Sequence, residues 1–295
     1  MDLLLTQTFI LSLLFGAMKA GLPLLLAGLG EQISEKSGVL NIGIEGMMLF
    51  GAYAGFVAAY YSASFWLGFL AGGIGGALVA SIVVLLCIRY GLNQIVIGIG
   101  VTLGMEGLTA LLHYFQFSKT YPRLGEISTF SHTAVVCLAL LAVIALGWLF
   151  RATYVGINLE AAGNKPAALD AAGVSVVKTR ACAVLSTGFL AGVGGAYMAN
   201  VGAGLFVPFM TGGAGFIGIV LAMLARGRPV WVLLGAALFG ISLAMTTALQ
   251  VAGINIPTDV VQMLPFAMVM LVLVIFARHS VLPPALGLPY VRGER

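Results

Sequence analysis

The stretch Phe65-Trp-Leu-Gly-Phe-Leu-Ala-Gly-Gly-Ile-Gly-Gly-Ala-Leu-Val-Ala-Ser-Ile-Val-Val-Leu-Leu-Cys-Ile88 contains no charged residue. A helix rises about 1.5 Å per residue, so about 20 apolar residues carry it through the hydrocarbon core of a bilayer. Similar stretches run from Gln7 to Leu29, Val39 to Tyr61, Leu92 to Phe115, Thr133 to Phe150 and Ala181 to Gly202, then from Ala214 to Ala225, Val230 to Val251 and Val260 to Ala277. Over all 295 residues 61% are apolar and 8% charged. Such a composition excludes the charged surface that keeps a soluble domain in water. The expected fold is therefore an all-α, polytopic transmembrane helix bundle of nine or ten spans, forming one transmembrane domain over residues 1–295.

The stretch Ala214 to Ala225 is short for a crossing. Extended back through Leu205 it would span, but Pro208, Gly212, Gly213 and Gly215 interrupt it, so a discontinuous helix is expected there. Placing the polar segment Arg151 to Arg180 in the cytoplasm fixes the other loops by alternation. Lys36, Arg89, Arg151, Lys165, Lys178, Arg180, Arg226, Arg228, Arg278, Arg292 and Arg295 then fall inside, and Lys119 and Arg123 outside. This asymmetry satisfies the positive-inside rule and puts the N-terminus outside and the C-terminus in the cytoplasm. No basic residue precedes Lys19, so the first span lacks the charged flank of a cleaved signal and is expected to stay.

The net charge of +4 comes from basic residues scattered through short loops, which reads as topology and not as a nucleic-acid surface. Cys87, Cys137 and Cys182 have unrelated spacings within apolar stretches, which excludes a metal or redox motif and reads as buried packing thiols. The forty glycines indicate close helix contact in lipid. Two runs, Phe69-Leu-Ala-Gly-Gly-Ile-Gly-Gly-Ala77 and Phe189-Leu-Ala-Gly-Val-Gly-Gly-Ala196, are alike and oppositely directed, as in an inverted repeat; recurrent small-residue packing is the simpler explanation. Gly98, Gly100 and Gly104 make no dinucleotide site, lacking the strand and acidic partner that it needs.

The run Ser37-Gly-Val-Leu-Asn-Ile-Gly-Ile-Glu-Gly-Met-Met-Leu49 resembles a signature of permeases in bacterial ABC importers of the branched-chain amino acid and simple-sugar superfamily, nearest to the nucleoside branch. The resemblance continues through Gly163-Asn-Lys-Pro-Ala-Ala-Leu-Asp-Ala-Ala-Gly173, Gly213 to Gly218, Gly227-Arg-Pro229, Gly253 to Pro257 and Gln262 to Pro265, in order along nearly the whole chain. It implies a second homologous permease chain, an ABC ATPase subunit that binds ATP and magnesium, and an extracytoplasmic solute-binding lipoprotein. This chain would carry no cofactor and no ATPase site, and it has no GxxxxGK[ST] loop.

Within the polar segment 151–180 the pattern gives two short helices separated by Gly163. Asn164 is placed to cap the second, with Pro166 in its first turn and Gly173 closing it. An Ala-rich helix flanked by Glu160, Lys165 and Asp170 resembles the coupling helix that seats on the ATPase; the plain alternative is a solvated connector. Glu160 stands where the family commonly has arginine, and Lys165 where it has asparagine, which implies a matched surface on the partner.

Ionisable groups inside apolar spans cost several kcal/mol unless paired or wetted. Lys19, Glu45 and Glu106 are accordingly candidates, and Lys19 and Glu45 lie at depths that allow an intramembrane pair. Asn41 shares a helix face with Glu45. Asn93, Gln94, Glu106 and Asn200 complete the candidate substrate pathway, against the alternative of interhelical hydrogen bonds. His113, His132 and His279 stand at spacings that make no metal site. Tyr60, Tyr61, Trp66, Trp148 and Trp231 read as interfacial anchors.

The leading function is ATP-driven import of a small polar solute, nucleoside or purine-like by resemblance, with a simple sugar as the alternative. A stand-alone ion-coupled carrier using Glu45 or Glu106 is the reading from a different class; the polar 151–180 segment argues against it.

Overall fold

The computed structural model describes residues 7–125, 129–251 and 282–290, with Met263, Ala267, Met270 and Val274 between. All regular elements among the described residues are helical. They are α1 (Gln7–Lys36), α2 (Ile44–Ser62), α3 (Phe65–Val83), α4 (Gln94–Phe117), α5 (Thr129–Ala152), α6 (Tyr154–Asn164), α7 (Pro166–Ala171), α8 (Val176–Tyr197), α9 (Ala214–Ala225) and α10 (Pro229–Val251). α3 and α8 each run on through a π-helical turn, Val84–Arg89 and Met198–Ala203. Segments from α1, α3, α4, α5 and α8 are long and apolar enough to cross a membrane. The fold is the expected polytopic bundle. The last expected span, Val260 to Ala277, lies outside the described residues apart from the four single positions, as do Arg278, His279, Arg292 and Arg295.

α1 corrects the sequence reading. The expected first span ended at Leu29 and left Glu31 to Ser37 as loop, but the helix continues to Lys36. Leu22, Leu25, Leu29 and Ile33 are all buried, so a 3.6-residue apolar ladder runs through the polar block. Glu31, Gln32, Ser34 and Glu35 are buried beside it. The helix end is held by Thr187 of α8, whose hydroxyl lies 2.6 Å from the Gly30 carbonyl and 3.0 Å from the Ser34 hydroxyl.

α1 packs along α8, α9 and α10, while α3 packs on α2 and α8. The two glycine-rich runs meet here. A methyl group at Gly76 would overlap the Gly188 carbonyl, and one at Gly192 would overlap that of Gly72. The pairs 72–192 and 76–188 run antiparallel, so α3 and α8 cross backbone to backbone. Small residues let helices approach this closely in lipid, where no hydrophobic force drives them together. The two like runs thus face each other across this contact.

The expected break is also present. After the π-helical turn, Gly204, Gly212 and Gly213 take left-handed φ values of 69°, 51° and 90°, and α9 begins only at Ala214. Of the cysteines, Cys87 is buried as expected, whereas Cys137 and Cys182 are exposed on the bundle surface. Tyr60, Tyr61, Trp66, Trp148 and Trp231 are exposed, in keeping with anchors.

Candidate functional site

The signature run 37–49 folds as an irregular segment, 37–43, followed by the start of α2. Two side chains support this segment: Gln94 Oε1 accepts from the Leu40 N–H at 2.8 Å, and Glu31 Oε1 accepts from the Asn41 N–H at 3.1 Å. Gly43 and Ile42 lie against Gly98 of α4, where no side chain would fit. α2 therefore starts inside the bundle, with Glu45 in its first turn.

Glu45 Oε1 accepts from the Gly213 N–H at 2.8 Å, and Oε2 from the Gly215 N–H at 2.6 Å. The first N–H groups of a helix have no intrahelical partner and form the positive end of its dipole. One buried carboxylate in the first turn of α2 thus caps the start of α9. Gly215 permits the approach, since a Cβ there would stand 2.7 Å from Glu45 Oε2. The structure does not bring Lys19 and Glu45 together: Lys19 is exposed, and both Glu45 oxygens are engaged by α9.

The remaining pathway candidates separate. Asn93 is exposed and caps α4, accepting from Ile95 and Val96 N–H at 2.9 and 3.2 Å. Asn200, buried in the π-helical turn, donates to the Gly55 carbonyl at 3.3 Å and ties α8 to α2. Asn41 is buried beside Met47. Glu106 is half-buried on α4. His113 is buried among the rings of Phe117, Tyr121 and Phe206, at centroid distances of 5.2 to 5.6 Å, where Tyr53 and Phe56 also pack. His132 lies 2.9 Å from the Tyr197 hydroxyl. No three metal-ligating side chains cluster among the described residues.

At the α6–α7 end the break between the two short helices falls at Lys165, two residues beyond Gly163. Asn164 ends α6, and no side chain caps α7, which corrects the expected Asn164 cap. The extended φ of −145° at Lys165 accounts for this: the residue before a proline avoids the helical region. Pro166 occupies the first turn as expected. Gly173, at φ 82°, closes the helix: its N–H bonds the Asp170 carbonyl, and the Val174 N–H bonds that of Leu169.

Gly163 serves close packing. A methyl group there would overlap the Lys36 carbonyl, so the end of α6 sits on the end of α1. Lys36 donates to Glu160 Oε2 at 2.9 Å and lies over the Phe150 ring. Glu160 is thereby engaged within the chain. Leu169 is buried with Ala162 and Val176, whereas Lys165, Ala167, Ala168, Ala171, Ala172 and Gly173 are exposed. α7 is pinned from beneath and presents small residues outward.

Sequence reasoning missed Glu31, Gln32, Glu35 and Arg180. Arg180 was counted as a topology signal, yet it is buried and donates to the carbonyls of Ser37, Ala162 and Leu288 at 3.1, 3.1 and 2.7 Å. The helical spacing of Leu25, Leu29 and Ile33 carried the signal for the α1 residues; nothing local distinguished Arg180.

A helical bundle with several membrane-length apolar helices and a broken segment in its interior has the architecture of a multi-pass membrane protein, and broken helices of this kind recur in transporters. The chain belongs to the family described as branched-chain amino acid transport system / permease component, matched over residues 13–273. It is 38% identical to a putative glucose ABC transporter permease protein of Haloferax volcanii, over 80% of this chain and 77% of that one. It is 30% identical to the nucleoside ABC transporter permease protein NupC of Lactococcus lactis, and 29% identical to the guanosine ABC transporter permease protein NupQ of Bacillus subtilis. Each of these two alignments covers 92% of this chain and 94% of the relative.

Proposed function

We propose that this chain is the permease subunit of an ATP-binding cassette importer that carries a nucleoside or purine-like solute across the cell membrane. Its N-terminus lies outside and its C-terminus in the cytoplasm. ATP hydrolysis on a partner ATPase drives it, a second homologous permease completes the membrane part, and an extracytoplasmic binding lipoprotein delivers the solute. The carrying observation is α7: an exposed helix of small residues seated through buried Leu169 and joined directly to α6, whose end packs on α1 at Gly163, as a docking helix must be if it is to transmit movement. Lys165 and the alanines face the partner, while Glu160 and Gly163 anchor the helix and Asp170, Asn164, Pro166 and Gly173 shape it.

Copurification from native membranes in mild detergent tests the docking. The native chain should retain an ATPase that Ala168→Arg loses while keeping its melting temperature. Absence of any ATPase from the native preparation would move the reading to a self-sufficient carrier.

The nucleoside assignment is supported by relatives named for nucleosides and guanosine that align over nearly the whole chain. The 38% identity to a protein named for glucose supports a sugar as the second reading. Uptake of labelled guanosine and labelled glucose by the reconstituted importer, each competed by the other, separates the two.

A further inference from the structure

We propose that Arg180 is the positioning residue of this coupling surface: its guanidinium locks the ends of α1 and α6 and the segment Pro283–Tyr290 into one body. Displacement of α7 is then delivered to α1 instead of being absorbed in the loop. The inference rests on the reading of α7 as the helix that meets the ATPase.

Arg180 lies in the second turn of α8 and is 3% exposed. A buried cation ordinarily requires a carboxylate. Arg180 forms no ion pair among the described residues; the three nitrogens of its guanidinium instead donate to three carbonyls on three segments. Ala162 is in the last turn of α6, and Ser37 directly follows α1. Carbonyls at helix C-termini lack intrahelical donors and carry the negative end of the helix dipole. Two such ends converge on one planar fork, a geometry that the compact ammonium of lysine does not reproduce.

The third carbonyl belongs to Leu288, and the chain around it is bound by its backbone as well. The Ala285 N–H donates to the Gly163 carbonyl at 3.0 Å, and the Gly287 N–H to the Gly38 carbonyl at 3.1 Å. Tyr290 packs on the Leu169 and Val176 cluster beneath α7. This C-terminal segment thus bridges the α6–α7 junction and the α1–α2 turn, and Arg180 holds all three from within. Beyond the clasp, α1 runs along α8, α9 and α10, and Glu31 supports the segment leading to Glu45 and the α9 cap. A push on α7 therefore has a continuous packed route to the interior break.

The test uses the whole importer in proteoliposomes with the native chain, Arg180→Lys, Arg180→Gln and Gly287→Val. Gly287 has φ 77° and nothing within 4 Å of an added Cβ, so valine strains the C-terminal segment without crowding the bundle. ATP hydrolysis and uptake of labelled guanosine and glucose are measured on the same samples, with amide hydrogen exchange. In Arg180→Gln the ATPase should stay attached and hydrolysis persist, while solute carried per ATP falls by about fivefold or more, the scale of a typical coupling energy. The Ala285 and Gly287 amides should lose protection, Arg180→Lys should be intermediate, and Gly287→Val should lower the same ratio. Unchanged solute per ATP in Arg180→Gln and Gly287→Val overturns the proposal, as does loss of ATPase attachment, since the clasp transmits and does not dock. If Arg180→Gln does not fold, Gly287→Val decides. A native chain that holds no ATPase sinks the coupling reading and the proposal with it; a coupled native importer with unaffected variants sinks the proposal alone.

Discussion

Glu45 of α2 and Gly215 of α9 are joined by a 2.6 Å hydrogen bond from the Gly215 N–H to the Glu45 carboxylate. The carboxylate, in the first turn of α2, caps the start of α9. It is buried, and it replaces water for N–H groups at the start of α9 that have no intrahelical partner.

Replacing Glu45 by alanine should lower stability by about 1–3 kcal/mol, the usual cost of stranding buried donors. Glu45→Gln should cost less, because its amide oxygen keeps one acceptor. Lys19→Met should not restore the Glu45→Gln variant. Melting temperatures in detergent and uptake by the same variants check this, and rescue by Lys19→Met would reinstate the ion pair that the geometry denies.

Glycines on opposite sides of the bundle should respond in opposite ways. Gly76→Val and Gly192→Val place atoms into facing backbone and should abolish the folded chain. An added Cβ at Gly100 or Gly104 of α4 meets nothing within 4 Å. Alanine there should be tolerated or stabilise by up to about 1 kcal/mol through helix propensity. Expression level and thermal stability distinguish these cases.

The Lys36–Glu160 pair should contribute little by itself. Glu160's side chain is 55% exposed, and pairs near water are worth about 1 kcal/mol or less. A double-mutant cycle with Lys36→Met and Glu160→Gln should give a coupling energy of that size, shrinking as salt is raised. A coupling several times larger and insensitive to salt would mean that the pair is covered in the assembled importer.

Asn93 and Gln94 should separate as cap and buried acceptor. Asn93→Ala should cost about 1 kcal/mol and Asn93→Ser much less, with uptake per folded molecule preserved. Gln94→Leu removes the partner of the half-buried Leu40 N–H and should cost about 1 kcal/mol or somewhat more. Selective loss of solute affinity in Asn93→Ala would return this residue to the pathway.

The spans were legible because crossing a membrane is a property of about 20 consecutive residues. The same local logic found the broken segment before α9, since Gly212 and Gly213 reveal left-handed backbone in their own identity. It failed where a polar run met a favourable interior. Glu31 to Lys36 reads as loop by composition, yet Thr187, 157 residues from Gly30, stabilises it as helix. Nor did it find the partners of Glu45: Lys19, 26 positions away, was the candidate for a pair, whereas the carboxylate bonds the Gly213 and Gly215 N–H groups at the start of α9.

The sequence alone determined that the chain lives in a membrane, where most of its described spans run and that one polar segment carries a short Ala-rich helix. Each follows from the hydrophobic effect and backbone preference acting over neighbouring residues. Tertiary structure decided which polar groups cap, clasp or anchor. A buried polar group is defined by the partner that replaces its water, and here that partner lies 143 residues away for Arg180 and Ser37, and 168 for Glu45 and Gly213.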